Sequence, residues 1–215
     1  MLRTIAAVFV TLALGTAASA LADQDATYTG PMSASEKAFV ASIQSDLGAR
    51  FPTAGAAEKA GYIRYTNVDD TGAISYANLQ WTSSDTRHPS QLWYDKSGNL
   101  LGADFSVPYS GGARPQLFGV NPGRWVEFDA HVHYVLVDPA TGKKTYDHWI
   151  MADKFKNAGG DPAHPTAADI VSMGKAKSSA DVATVFAFPA IWDLFVWVKP
   201  NPNGAFADKN PNVTP

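Results

Sequence analysis

Residues 124–151 read RWVEFDAHVHYVLVDPATGKKTYDHWIM and hold three of the chain's five histidines. The pattern is that of one long β-hairpin. Alternate residues of a strand share a face. Glu127, Asp129, His131, His133, Val135 and Val137 therefore line one side of the first strand, and Val126, Phe128, Ala130, Val132, Tyr134 and Leu136 line the other. The second side is an apolar core stripe. The first is ionisable over half its length, which marks it as a candidate site.

The turn decides whether a third histidine joins the first two. DPATG supplies the Asp, Pro and Gly that turns select. A four-residue loop, Pro139 to Gly142, sets Asp138 against Lys143 and carries the ladder back to His133 opposite His148. Directly opposed side chains have Cβ atoms roughly 4.5–5.5 Å apart, so His131, His133 and His148 would converge. A three-residue loop with Gly142 in a bulge slips the register by one and sends His148 to the face of Tyr134 and Phe128. The convergent register is the expectation.

Three imidazoles on one side of an ion leave positions open for water or substrate, the arrangement of a catalytic metal site. The chain has no cysteine, so thiolate-based copper and iron–sulfur centres are excluded. A divalent metal is expected, with zinc the best fit and iron or manganese as alternatives. At ~3.3 Å per residue, Asp129 lies close enough to His131 to serve as a fourth ligand or to orient a ring, and Glu127 sits at the rim as an acid or base. Those two are the candidate catalytic residues. His88 and His164 stand in Pro-bordered loops and could fold over the site. The HxH spacing is loosely similar to that of cupins. The glutamate that the cupin motif places after its second histidine is missing, since Tyr134 to Val137 follow, and membership is not assigned.

The first 22 residues have the pattern of a secretory leader: Arg3 near the start, an apolar run from Ile5 to Leu14, and Ala20-Leu21-Ala22 as a small-x-small cleavage site. Residues 23–215 would form one domain, periplasmic or secreted. Loss of Arg3 moves the formal net charge from -3 to -4, which offers nothing to nucleic acid. No later run is long and apolar enough to span a membrane. GxSxG, GxGxxG and Walker A motifs are absent.

Elsewhere, Ser33 and Glu36 form a capping box that opens a helix closed by Gly48. Ala54 to Ala60 is a second short helix. YIRYTNV with AISYANLQW, and SQLWYD with LLGADFSVPY, read as hairpins. Asp153 to Ala158 is a helical turn, Thr166 caps AADIVSMG, and a helical stretch runs from Ser179 through Ala187. AIWDLFVWV is a buried central strand, apolar except for Asp193. Phe186, Phe188, Trp192, Phe195 and Trp197 are core residues or the walls of an apolar pocket.

The fold class is α+β: a mainly antiparallel β-sheet, open or curled into a half-barrel, flanked by helices from both ends of the chain. The leading function is an exported metal-binding protein with a mononuclear histidine site, as a hydrolytic or lyase-type enzyme if it is catalytic. The alternative is a non-catalytic periplasmic binding protein for a small apolar or aromatic ligand. A small-molecule ligand or substrate is the expected partner.

Overall fold

A computed structural model describes residues 22–24, 26–81, 85–109 and 111–215. The expected leader lies outside these, apart from Ala22. The architecture is α+β. A seven-stranded sheet and a three-stranded sheet carry helices from both ends of the chain, every described pairing is antiparallel, and neither sheet closes into a barrel.

Helix α1 (Ala34–Arg50) starts where the capping box requires: the Glu36 amide donates to Ser33 Oγ (3.2 Å) and the Ser33 amide to Glu36 Oε2 (2.8 Å). It continues past Gly48, the expected stop, because Gly48 is not in a left-handed conformation and Phe51 still donates to the Leu47 carbonyl (2.8 Å). Phe39, Val40, Ile43 and Leu47 form its buried stripe. Helix α2 (Ala54–Lys59), capped by Thr53, ends before Gly61 at φ +90°, a conformation that suits glycine. Both helices cover one face of the larger sheet.

That sheet runs in the order β1-β6-β10-β5-β4-β3-β2. Its strands are β1 (Ala22–Gln24), β2 (Ile63–Arg64), β3 (Ile74–Ala77), β4 (Gln91–Tyr94), β5 (Leu100–Pro108), β6 (Val126–Phe128) and β10 (Ile191–Trp197). The two expected hairpins, β2–β3 and β4–β5, form. On the helix side, Leu92, Tyr94, Ala103, Phe105, Trp192, Leu194 and Val196 meet α1 and α2 in the main core.

The smaller sheet runs β8-β7-β9, from β7 (His131–Val137), β8 (Lys144–Met151) and β9 (Val182–Phe188). The expected helix over Ser179 to Ala187 is corrected here: only a 3₁₀ turn, Ser179–Asp181, precedes strand β9. Val182, Thr184, Val185, Phe186 and Phe188 are β-branched or aromatic and fit a pleated surface better than a helix. The outer face of the sheet, through Val132 and Tyr134, packs on Phe155 of α3 (Ala152–Asn157) and Ile170 of α4 (Ala167–Ser172).

The expected single long strand before the turn is two strands in two sheets. β6 pairs with β10 and β7 pairs with β9, and the register passes unbroken from Phe128↔Ile191 to His131↔Phe188. One two-stranded ribbon thus bends at Asp129-Ala130 and Pro189-Ala190 and joins the sheets. The C-terminal tail wraps the larger sheet: Trp197 Nε1 donates to the Ala207 carbonyl (2.7 Å), and Val213 packs with Trp197, Leu101 and Ala73.

Candidate functional site

His131 and His133 stand on the inner face of β7, between the sheets, each 5 % exposed. Their rings lie 4.9 Å apart. Across β9, Phe188 opposes His131 and Phe186 opposes His133. The His133 ring stacks on Phe186 (5.6 Å, 24°) and meets Tyr65 edge-on (4.7 Å). His131 Nδ1 lies 2.6 Å from the Asp129 carbonyl. A carbonyl only accepts, so Nδ1 carries the proton and Nε2 a lone pair. Burial lowers the pKa of His131 and pushes that of His133 well down, with His131 adding to the second. Both rings are neutral at pH 7.

His148 does not join them. The predicted loop forms: the Asp138 amide donates to the Lys143 carbonyl (2.9 Å), Val137 faces Lys144 and Leu136 faces Thr145. The ladder then slips, with β8 using one residue more than β7, and Tyr134 faces His148 while His133 faces Trp149. A β-bulge has this effect. It coincides with Asp147, whose φ is +64°, a left-handed conformation that aspartate tolerates better than most residues. His148 stacks on Tyr134 (5.0 Å, 16°) and lies 3.2 Å from the Thr145 hydroxyl. The expected three-histidine focus is therefore absent. Among the described residues, no three His, Asp or Glu side chains are placed to hold one metal ion.

The two candidate catalytic carboxylates are also placed differently. Glu127 faces Trp192, which belongs to the helix-side core, whereas Phe128 and Ile191 pack between the sheets. The alternation changes phase at Asp129-Ala130, so Glu127 and His131 occupy different faces despite their spacing. Glu127 is 6 % exposed. Asp129 touches the site through its carbonyl. His88 and His164 pair with Asp85 (2.6 Å) and Asp161 (3.0 Å), each three residues earlier in its own loop.

The wall beneath the histidines holds two acids outside the expected site residues. Asp104 on β5 and Asp193 on β10, 3 % and 2 % exposed, point into the space between the sheets. Asp193 faces Ser106, whose hydroxyl donates to its Oδ1 (2.8 Å) and lies 2.6 Å from that of Ser90. Asp104 faces Gln91 and accepts Trp93 Nε1–H (3.0 Å). Gln91 Nε2 reaches Asp193 (3.5 Å), and its carbonyl oxygen accepts the Tyr65 hydroxyl. Tyr65 thereby links the carboxyl layer to His133. Burial raises Asp193 to about 7 against the Ser106 and Leu194 hydrogen bonds, and burial with the neighbouring Asp193 charge raises Asp104 well above the carboxylate range. Two buried polar atoms in this layer have no protein partner: Asp104 Oδ1 and His133 Nδ1.

The signal was present in AIWDLFVWV and LLGADFSVPY, each of which carries one aspartate within a long apolar run. An acid at such a position is buried by its strand, and displaced pKa values gather at functional sites. The larger sheet places these two acids on neighbouring strands.

Comparison with known families finds no matching model, and neither characterised proteins nor solved structures give a significant match. No helix among the described residues is long and apolar enough to cross a membrane.

Proposed function

We propose that this chain is an exported, non-catalytic binding protein that takes a small aromatic molecule with one or two polar groups into the layer between its sheets. The leader-like residues 1–22 support export. One observation carries the binding site: Asp104 Oδ1 and His133 Nδ1 are buried without partners on walls linked through Tyr65. Buried polar atoms are almost always hydrogen-bonded, and one left unpaired costs on the order of 1–3 kcal/mol. A ligand that hydrogen-bonds Asp104 Oδ1 and His133 Nδ1 would recover that cost. Tyr65, Trp93, Phe186 and Phe188 offer aromatic walls, and few polar groups set among apolar ones is the usual composition of a ligand site. A surface depression of about 340 Å³, lined by Asp129, Ala130, Met151 and the start of α3, lies beside His131 and offers a way in.

One observation favours a second reading, a bound divalent metal, zinc before iron or manganese. The Asp129 carbonyl fixes His131 with Nε2 unprotonated, as carbonyls do for metal-binding imidazoles. His131 and His133 would be two ligands, with the rest supplied by a mobile side chain, water or ligand.

One preparation tests both. Protein isolated from its own cell envelope without added metal is denatured, and the released molecules are identified by mass spectrometry alongside elemental analysis. The ligand reading expects one stoichiometric organic species, lost in Asp104→Asn and His133→Ala. The metal reading expects stoichiometric metal, lost in His131→Ala and His133→Ala. Wild-type protein carrying only trace amounts of either counts against both.

A further inference from the structure

We propose that the groove where edge strand β8 meets α3 and α4 binds an anionic amphiphile: a free molecule with one carboxylate, sulfate or phosphate group on an apolar body. The groove is shallow and open to solvent and offers about 510 Å³, within the roughly 300–1,000 Å³ usual for small-molecule sites. Trp149, Ile150 and Met151 of β8 and Met173 after α4 supply its apolar part, and Lys154 and Lys175 are its charged residues. Trp149 is 39 % exposed, and only Ile63 and Leu79 match it among the large apolar side chains described. An indole held partly in water at the edge of the sheet is open to a partner. The methionines add adaptability, since an unbranched polarisable side chain moulds to many apolar shapes.

Charge sets the chemistry of the occupant. Both lysines are exposed, and among the described residues neither ammonium is in an ion pair. No carboxylate lines the groove. An apolar body would cover Trp149 and the methionines while its anionic group meets the ammonium groups. A cation of the same shape would meet repulsion there. The concavity favours a single molecule over a flat bilayer surface.

The test is calorimetric titration of the full chain with sodium decanoate below its micellar range, with decyltrimethylammonium as the cationic control. One-to-one binding of decanoate is expected, with the cation about tenfold weaker or worse. Lys154→Glu combined with Lys175→Glu should lower decanoate affinity by about tenfold while the melting temperature stays near wild type. Trp149→Ala, which keeps both charges, should weaken it severalfold. Equal binding of the cation overturns the proposal, as does unchanged affinity in the lysine double variant. Absence of saturation with decanoate does the same, whether or not phosphatidylglycerol vesicles capture the protein.

Discussion

The Asp147 amide donates to the Tyr65 carbonyl (3.1 Å), and the Asp147 carboxylate accepts the Asn67 amide through both oxygens (3.0 and 2.9 Å). The bulge in the smaller sheet is thus tied to the chain just beyond β2 of the larger one. Valine fits poorly at φ +64° and has no atom to accept the Asn67 amide. Asp147→Val should cost about 1–3 kcal/mol in urea unfolding at neutral pH. Asp147→Gly relieves the backbone and loses only the side-chain bonds, so its cost should be smaller, about 0.5–1.5 kcal/mol.

Because His148 stacks on Tyr134 on the far side of β7, its loss should leave the inter-sheet layer intact. His148→Ala should retain whatever ligand or metal co-purifies with wild type, and His133→Ala should lose it. Parallel mass spectrometry and elemental analysis of the two variants check this. Equal losses in both would place His148 at the site after all.

The sequence revealed local geometry better than tandem geometry. The cap at Ser33, the loop from Asp138 to Lys143 and the i, i+2 pairing of His131 with His133 depend on residues near one another, and all three are present. What failed depended on distant chain. The bulge at Asp147 is fixed by Tyr65 and Asn67, some 80 residues away, and no period within β8 encodes it. The phase change at Asp129-Ala130 arises because β10 and β9 carry the ribbon from one sheet into the other. Asp104 and Asp193 looked like isolated polar residues because only the strand order makes them neighbours. Strand β9 differs, since its own β-branched and aromatic residues, Val182, Thr184, Val185, Phe186 and Phe188, carry a local signal for a strand where a helix was expected.

Glu36 and Arg124, 1 % and 6 % exposed, form a buried ion pair at 2.6 Å between α1 and the segment before β6. Burial alone would raise the Glu36 pKa. The Arg124 bond and the Ser33 and Asn121 amides outweigh it and hold the carboxyl at about 2. Arg124 also donates to the Gly30 carbonyl (2.9 Å). Arg124→Met would leave a buried carboxylate without its cation, a loss of about 3–5 kcal/mol. Denaturant unfolding at pH 7 measures it. In Arg124→Met the added replacement Glu36→Gln should recover part of the loss, since it removes the stranded charge.

Gly102 on β5 is a packing requirement of the larger sheet. A Cβ there would lie 2.4 Å from Trp93 Cε3 and 2.7 Å from the Val196 carbonyl oxygen. Trp93 also holds Asp104, so the clash bears on the carboxyl layer. Gly102→Ala should cost about 1–3 kcal/mol and shift the tryptophan fluorescence, because Trp93 must move. An unchanged spectrum and melting temperature would mean that the sheet absorbs the methyl group elsewhere.

Stability against pH should carry opposing contributions from the two walls of the layer. Asp193 titrates near 7 when folded and near 3.8 in its ordinary state, and Asp104 is displaced the same way. Between those values the folded chain holds more protons than the unfolded chain. The contribution of Asp193 is therefore complete below 3.8 and is lost as pH rises through about 7, and that of Asp104 is lost in the same direction as its own raised pKa is passed. His131 and His133 are depressed from 6.5, so theirs is present above 6.5 and is lost as pH falls through their folded values. Glu36, held at about 2 from 4.5, adds a loss in stronger acid. The expected profile has its maximum on the acid side of neutrality and declines toward about pH 8. Asp193→Asn keeps the shape and removes one of the two titrations, so it should flatten that decline and gain on wild type at about pH 8 relative to about pH 5. Guanidinium unfolding of both proteins at the two pH values reads the difference directly. Parallel curves would mean that Asp193 takes up no proton on folding.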